Sequence, residues 1–351
     1  MNFTRESVFV SATRCFCNSF AVVIGVFVAA VVVFIGMMML SHPDVIPNKS
    51  EMIVAPDATG NRVLLHDSAP AVLRIDIHGV IGEGALTIAN MENILLDSRE
   101  DILSNNRVKA ILLHMDTPGG TVTDSDGIYH LLMDYKKKYN IPVYAYVDGL
   151  CASGGMYICS AADKIYATSS SIIGSVGVIL GPAFNFSQAM DKIGIQAKTL
   201  TQGKDKDMLS PFRPWVAGED QSLVNITHDL YVQFVDIVAS ARKSLDKDRL
   251  VNEFGAQVYV AEQAQQYGYI EVAHSNYSAA LKDLTVAANI PESTSYQVVQ
   301  LQTPSSFLSS LVQGKSSLIT GKLTHVFQIG PNMSSEFSGK FLYLYQPQPA
   351  L

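Results

Sequence analysis

Cysteine is scarce in this chain. Only four occur in 351 residues, Cys15, Cys17, Cys151 and Cys159, and their number and spacing fit neither a disulfide framework nor a paired CxxC zinc site. The eight histidines (His42, His66, His78, His114, His130, His228, His274, His325) include no HExxH and no two at ligand spacing, so metal hydrolysis has no ligand set to rest on. No phosphate-cradling P-loop is present, and a nucleotide is not expected as partner or energy source. Charged residues make up 16% of the chain and net charge is −7 with a pI near 5.6. Lys and Arg do not gather into a basic stripe, which argues against nucleic acid. No internal repeat is found, so any active site is built from one copy of each motif per chain. Neither a metal nor another cofactor is expected.

Apolar sequence, by contrast, is plentiful, at 48% hydrophobic residues and a mean hydropathy of +0.19. Much of it lies near the start. From Phe20 to Leu40 the chain reads FAVVIGVFVAAVVVFIGMMML without a charge. At about 1.5 Å per residue this run crosses a hydrocarbon core of roughly 30 Å. A cleaved signal peptide is the alternative, but its apolar region runs about 7–15 residues and ends in a small-x-small site, whereas this run ends MMMLSHP. Arg5 and Arg14 stand against Glu6 before the run, and Asp44, Lys49, Glu51 and Asp57 follow it. The positive-inside rule then puts the amino terminus in the cytoplasm and everything from about His42 across the membrane. Cys15 and Cys17 fall just inside the cytoplasmic face, either as sites of lipidation or as ordinary reduced thiols.

The expected organisation is a cytoplasmic tail (1–19), a transmembrane anchor (20–40), a stalk (41–69) with a short strand near its end, a folded domain (70–277) and a peripheral, partly mobile extension (278–351) rich in Ser, Thr, Gln and Pro. Within the domain, strands are predicted at 71–82, 108–115 and 142–149, with helical spacing over 85–101 and 127–139. Further strands are expected at KIYATSS, SVGVILG and QAKTLTQ, with a helix over AFNFSQAMDKIG between the last two. Strands separated by helices imply crossover connections and a mainly parallel sheet, so the class is α/β. From Glu219 to Asp246 an amphipathic stretch aligns Leu223, Ile226, Leu230, Phe234, Ile237 and Val238 on one face, for an oligomer contact or for the chain's own core; a shorter helix follows over AEQAQQYG.

Two glycine-bearing turns each follow a predicted strand, where α/β sheets place their sites. Pro118-Gly119-Gly120 frees the backbone for close approach to a ligand, or is only a turn. Ser153 precedes Gly154 and Gly155 at a strand-to-helix corner, which exposes a hydroxyl above the sheet with the next amide beside it; no GxSxG motif is present, and a small-residue corner for close helix packing is the other reading. A serine nucleophile needs a base. No histidine is placed by a motif, and His78 and His114 sit in strand patterns as structural histidines do. Lysine is the other route, and Gly203 to Pro211 offers Lys204 and Lys206. A lysine base must be uncharged, which burial or nearby positive charge achieves; if the segment is extended, the two lysines share a face and Asp205 and Asp207 face away.

The blocks DTPGGTVTDSDGIY, VDGLCASGGMYICSAADKIYATSSSIIGSVGVI, GKDKDMLSPFRPW and QVYVAEQAQQYGYIEVA, in this order between Gly79 and about Val272, resemble the signal peptide peptidase A family. The resemblance implies a membrane-anchored Ser/Lys protease on the ClpP/crotonase fold, with Ser153 as nucleophile, Lys206 as general base, and Gly120 and Gly154 as donors of oxyanion-hole amides. It implies a half-length form assembling into a homo-oligomeric ring in which one protomer's serine can meet its neighbour's lysine. Cleaved signal peptides and other apolar peptides are the implied substrates, and the inner membrane, with the catalytic domain on the extracytoplasmic side, the implied location. The SohB-like branch of the family fits as well. Asp-Thr-Pro-Gly-Gly replaces a commoner Asn-Ser-Pro-Gly-Gly, Cys151 sits two residues before the nucleophile, and the tail beyond Tyr277 is long for the family. Ser175, in a Gly-Ser-Val-Gly turn, is a candidate to orient the lysine or is a plain turn serine. A crotonase-type acyl-CoA enzyme and an inactive oligomeric scaffold are the alternatives from other classes.

Overall fold

The computed structural model describes residues 8–40, 49–302 and 340–345. The chain forms two compact units, 1–48 and 49–351. The first contains one helix, α1 (Val8–Leu40), which begins well ahead of the uncharged run. Within it Val10–Phe34, with a mean hydropathy of 2.5, is long and apolar enough to cross a membrane.

The second unit is built on one sheet of strands β1 (Glu51–Ala55), β2 (Ala71–His78), β3 (Val108–Thr117), β5 (Val143–Ala152), β6 (Lys164–Ala167), β7 (Ile172–Gly174), β8 (Val258–Val260) and β9 (Gln297–Gln302). The strand order is β1-β9-β2-β3-β5-β7-β8, with β6 also paired to β5. Pairing from β9 through β2, β3 and β5 to β6 and β7 is parallel, and only the edges β1 and β8 run antiparallel. The α/β class and mainly parallel sheet are therefore as expected. Helices α2 (Ile88–Asp97), α3 (Val122–Tyr139), α4 (Gly154–Cys159), α5 (Ser187–Lys192), α6 (Gln221–Ala241), α7 (Lys247–Arg249), α8 (Ala261–Tyr267) and α9 (Tyr277–Ala287) complete it, with a short strand β4 (Gly119–Thr121) paired to β10 (Leu342–Leu344).

A parallel sheet covered on both faces needs apolar residues at consecutive positions, and β2 and β3 supply them. Leu73, Ile75, Ile77, Ile111, Leu113 and Met115 face the core under α2, α3 and α4. Val72, Ala110 and Leu112 face the opposite way, onto Ala280, Leu281 and Leu284 of α9. Helix α3 starts at Val122 because the Thr121 hydroxyl caps it, accepting from the Asp124 N–H at 3.2 Å. It stops at Asn140, left-handed with φ 48°, after three lysines that complement the helix dipole.

Several boundaries differ from the sequence reading. The stalk contributes β1 in its middle, not near its end. The supposedly peripheral extension after residue 277 contributes α9 and β9, and β9 lies inside the sheet, because Val298, Val299 and Leu301 bury between β1 and β2. The run 196–202 forms no strand and lies exposed, having no neighbour to pair with, and 175–181 makes only a bridge from Ile179 to Leu342. The remaining expectations for 1–7, 41–48, 303–339 and 346–351 fall outside the described residues.

Candidate active site

Strand β5 forks at its carboxyl end. Residues 144–147 pair with β6, whereas Leu150, Cys151 and Ala152 pair with β7. The slack is taken up by a bulge against β3, where Asp116 accepts the Leu150 N–H at 3.0 Å. The chain then turns sharply at Ser153, with φ 53° and ψ −113°, a conformation that costs a non-glycine residue about 1–3 kcal/mol and clusters at functional sites. The turn is held on both sides: Ser153 donates its N–H to Gly174 O at 2.9 Å, and its carbonyl accepts the Tyr157 N–H at 3.1 Å.

The two glycines after the serine are packing necessities as well. A Cβ on Gly154 would collide with Ser125 Oγ of α3, and one on Gly155 would stand 2.7 Å from Thr117 Cγ2 of β3. Both readings of this corner thus apply to the same residues. In the other turn, Gly119 has φ 96°, and a Cβ there would stand 2.7 Å from the Gly154 nitrogen. A Cβ on Gly120 would collide with the backbone of Ile81. The Gly119-Gly120 backbone and the Gly154 amide therefore lie side by side, which is the close approach an oxyanion hole requires. Among the described residues the Ser153 hydroxyl reaches only Gly177 O, at 3.5 Å, longer than a well-formed O–H···O bond, and Ser153 is 1% exposed.

Lys206 is not brought to Ser153 within one chain. It sits exposed in the turns of 203–209, where among the described residues it makes neither a hydrogen bond nor an ion pair. The segment is not extended as the shared-face reading required, since Asp205 and Leu209 both take positive φ. Arg213 fixes the loop instead, donating to Asp207 at 2.8 and 3.0 Å and to Glu219 at 2.7 Å. Lys204 points to solvent, its side chain 93% exposed. Ser175 is buried with φ 57° and donates its N–H to Gln257 O at 2.7 Å, directly after the residue that accepts from Ser153.

The sequence did not reveal two polar networks. Tyr157 of α4 donates to Asp126 Oδ1 at 2.6 Å, and Gln233 of α6 donates to both at 2.9 Å. Burial and the Asp126 carboxylate push the Tyr157 phenol well above its usual range, so it stays a donor. Across β2, β3 and β5, His114 bonds to Asp148 at 2.8 Å, to Arg74 at 2.7 Å and to His78 at 3.1 Å. The donor atoms of Asp76, His78 and His114 lie within 4.8 Å of one another, a spacing that could hold a metal ion. The Arg74 guanidinium bonds to both Asp76 and His114 and brings a positive charge to that cluster. Burial raises the Asp76 pKa, but hydrogen bonds from His114 and Arg74 outweigh it and hold the carboxyl well below its usual range.

A strained serine above the carboxyl ends of parallel strands, flanked by glycine amides, is the arrangement of an acyl-transfer hydrolase. Comparison with known proteins gives the family. The sequence profile of peptidase family S49 matches residues 135–291. A protein of Synechocystis sp. described as a protease is 30% identical over 251 residues, covering 71% of this chain and 85% of its own. A protein of Enterococcus faecium described as a signal peptide peptidase SppA is 31% identical over 206 residues, covering 57% of this chain and 59% of its own. A protein of Methanocaldococcus jannaschii described as a protease is 34% identical over 199 residues, covering 56% of this chain and 62% of its own. The match thus spans about three fifths of the length of the last two relatives. Among solved structures, the 1510-N membrane-bound stomatin-specific protease aligns at 19% identity over 69% of this chain, with a TM-score of 0.40. The chain belongs to peptidase family S49, the signal peptide peptidase A family of serine proteases.

Proposed function

We propose that this chain hydrolyses peptide bonds, with Ser153 as nucleophile, Lys206 of a neighbouring copy as general base, and the amides of Gly120 and Gly154 as the oxyanion hole. The observation that carries the reading is the strained Ser153 turn, held at 2.9 Å from Gly174 and set beside the glycine backbone. Attack by Oγ on a substrate carbonyl sends the hydroxyl proton to the lysine, the amides hold the oxyanion, and the lysine returns a proton to the leaving amine. Water then resolves the acyl-enzyme.

The lysine comes from a second copy because Lys206 is exposed and unpaired among the described residues, and because the arm that bears it is apolar and open. Ile193, Leu200, Phe212, Val216, Val224 and Ile226 are each more than 40% exposed there. The first half of α6 shares that exposed face, while Phe234, Val235 and Val238 bury in its second half, so the stretch packs on the chain's own core at one end and leaves apolar surface open to a second copy at the other. The apolar span of α1 supports an anchored enzyme with a cytoplasmic amino terminus, in an inner membrane, acting from the extracytoplasmic side on signal peptides and other apolar segments. No cofactor takes part.

The test uses full-length protein in detergent with a fluorogenic apolar peptide. Ser153→Ala and Lys206→Ala are each expected to lose activity by at least about 10³-fold, and mixing the two inactive variants is expected to restore part of it through mixed assemblies. Undiminished cleavage by Ser153→Ala would rule the reading out.

A further inference from the structure

Only two of the four cysteines lie beyond α1, and the fold brings them together. Cys151, near the end of β5, and Cys159, the last residue of α4, stand on opposite sides of the Ser153 turn. Their Sγ atoms are 3.3 Å apart, and both residues are 0% exposed. Among the described residues the only other hydrogen-bond partner of either thiol is Met156 Sδ, 3.8 Å from Cys151 Sγ. An S–S bond needs a further approach of about 1.3 Å, which is within the reach of a cysteine side-chain rotation.

The backbone holds both positions. Cys151 is in register with Thr117 of β3 on one edge and with Ile173 of β7 on the other. The Cys159 carbonyl accepts the Ala162 N–H at 2.9 Å and an Arg242 N–H at 3.4 Å, which fixes the end of α4. Gly155 keeps α4 close to the strand, because a Cβ there would stand 2.7 Å from Thr117 Cγ2 and 3.6 Å from Cys151 Sγ. Two reduced thiols packed as small apolar side chains are the other reading of this pair. The compartment separates the two: thiols held at contact distance on the oxidising side of a membrane close to a disulfide, whereas the cytosol keeps them reduced.

We propose that Cys151 and Cys159 form a disulfide that closes residues 151–159 into a loop around Ser153, tying the strand before the turn to the helix after it. The proposal rests on the placement of this domain on the extracytoplasmic side, and not on the peptidase reading. The oxidant is itself a disulfide, carried by a protein or a small molecule. One thiolate of the pair attacks a sulfur of that disulfide and expels the other as a thiol, and the second cysteine then displaces the sulfur that remains. Two cysteine S–H bonds and the oxidant's S–S bond break, one S–S bond forms within the chain, and both protons and two electrons leave on the oxidant as thiols. The exchange belongs to folding. In the folded chain the contact with Cys159 and burial push the Cys151 thiol well above its ordinary range, and neither sulfur is open to a reagent. The bond therefore forms before α4 closes on β5 and resists reductants afterwards. It joins the two ends of the segment that carries the strained turn, opposing relaxation of that turn by unwinding of α4.

The experiment uses the full chain in the membranes of the cells that made it. Trypsin added outside spheroplasts first reports the side on which the domain lies. Membranes are then dissolved in sodium dodecyl sulfate with iodoacetamide and no reductant, and tryptic peptides are read by mass spectrometry. The peptide from Tyr139 to Lys164 holds both cysteines. It is expected unalkylated and two hydrogens lighter than its dithiol, whereas Cys15 and Cys17, at the far end of α1, are expected alkylated. Dithiothreitol is expected to open the bond in the detergent-denatured chain and to leave it closed in the folded chain over the same time. Cys151→Ala and Cys159→Ala are each expected to lower the melting temperature by about 5–10 °C, and the double variant by no more than the larger single loss, because either change removes the same bond. A doubly alkylated peptide in a chain whose domain is reached by outside trypsin overturns the proposal and leaves the location standing. The same peptide in a chain that trypsin does not reach overturns both. Additive losses in the double variant mark two independently packed thiols and overturn the bond, and a bond opened as fast in the folded chain as in the denatured one overturns its formation ahead of core closure.

Discussion

The Ser153 N–H and the Gly174 carbonyl meet at 2.9 Å, so the proposed nucleophile is positioned by the strand that takes over β5 after its fork. Gly174 has φ 131°, and a Cβ there would stand 2.5 Å from Gln257 O of the chain leading into β8. The edge of the sheet and the reactive turn are one mechanical unit.

Gly174→Ala is therefore expected to lower kcat by about 10²-fold while leaving the far-ultraviolet circular dichroism unchanged, because a displacement of about 1 Å at a reacting group costs that much. Peptide hydrolysis with KM determined separately checks it; an unaltered kcat would detach β7 from the positioning of Ser153.

Gly155→Ala acts on packing. The added methyl meets Thr117 Cγ2, and overpacking of this kind costs about 1–3 kcal/mol. Thr117→Ser removes that methyl and keeps the hydroxyl that donates to Gly79 O at 2.6 Å and accepts from the Gly119 N–H at 3.0 Å. Urea unfolding of the double variant is expected to recover at least half of the loss.

Arg242 is 1% exposed and ties the end of α6 to the β6 region, through Glu271 at 2.9 Å and the carbonyls of Cys159 and Ala162. Arg242→Ala leaves those acceptors without their donor and is expected to cost about 3–5 kcal/mol in a urea titration.

The imidazole network makes stability depend on pH. Burial works against the charged form of His114, but the bonds to Asp76 and Asp148 outweigh it and raise its pKa above 6.5. Its contribution is then fully present below pH 6.5 and is lost as pH rises through the folded-state value. His78 runs the other way: burial and its neighbour His114 lower its pKa despite Asp76, Asp116 and Asp148, so it disfavours the folded state when pH falls below 6.5. Above pH 6.5, wild type is expected to lose stability relative to His114→Asn as pH rises, which thermal unfolding at a series of pH values checks.

How much could be read from the sequence follows from which signals are local. The buried strands at 71–78, 108–117 and 143–152 show as apolar runs, and Ser153 and the glycines stand at their carboxyl ends. Helix α3 was expected to start at Gly127 because Val122–Asp126 read as turn, although Thr121 with Asp124 carries a capping signal that places the start earlier. The strand expected at 196–202 finds no partner among the described residues, and a short stretch without a neighbour does not make a strand. The Val-Val-x-Leu of β9 was hidden in a tail of polar composition, and its place between β1 and β2 is a long-range pairing that no window of sequence contains. The glycine turns were legible because close backbone approach demands glycine, and Ser153 because it stands at the strand-to-helix corner beside them. Lys206 was preferred to Lys204 only by resemblance, and the Tyr157, Asp126 and Gln233 network was not legible at all, since its members meet only in three dimensions.

The position of β9 also governs how the molecule is made. One edge of β2 waits for Gln297–Gln300, so on a ribosome adding about 5–20 residues per second, that edge stands open for roughly 10–45 s after β2 itself has emerged. Throughout that interval, Ala71–Arg74 present unpaired amides and carbonyls from a strand that is largely buried in the folded domain, a template for wrong partners. The nascent chain thus depends on protection from aggregation until β9 has been made.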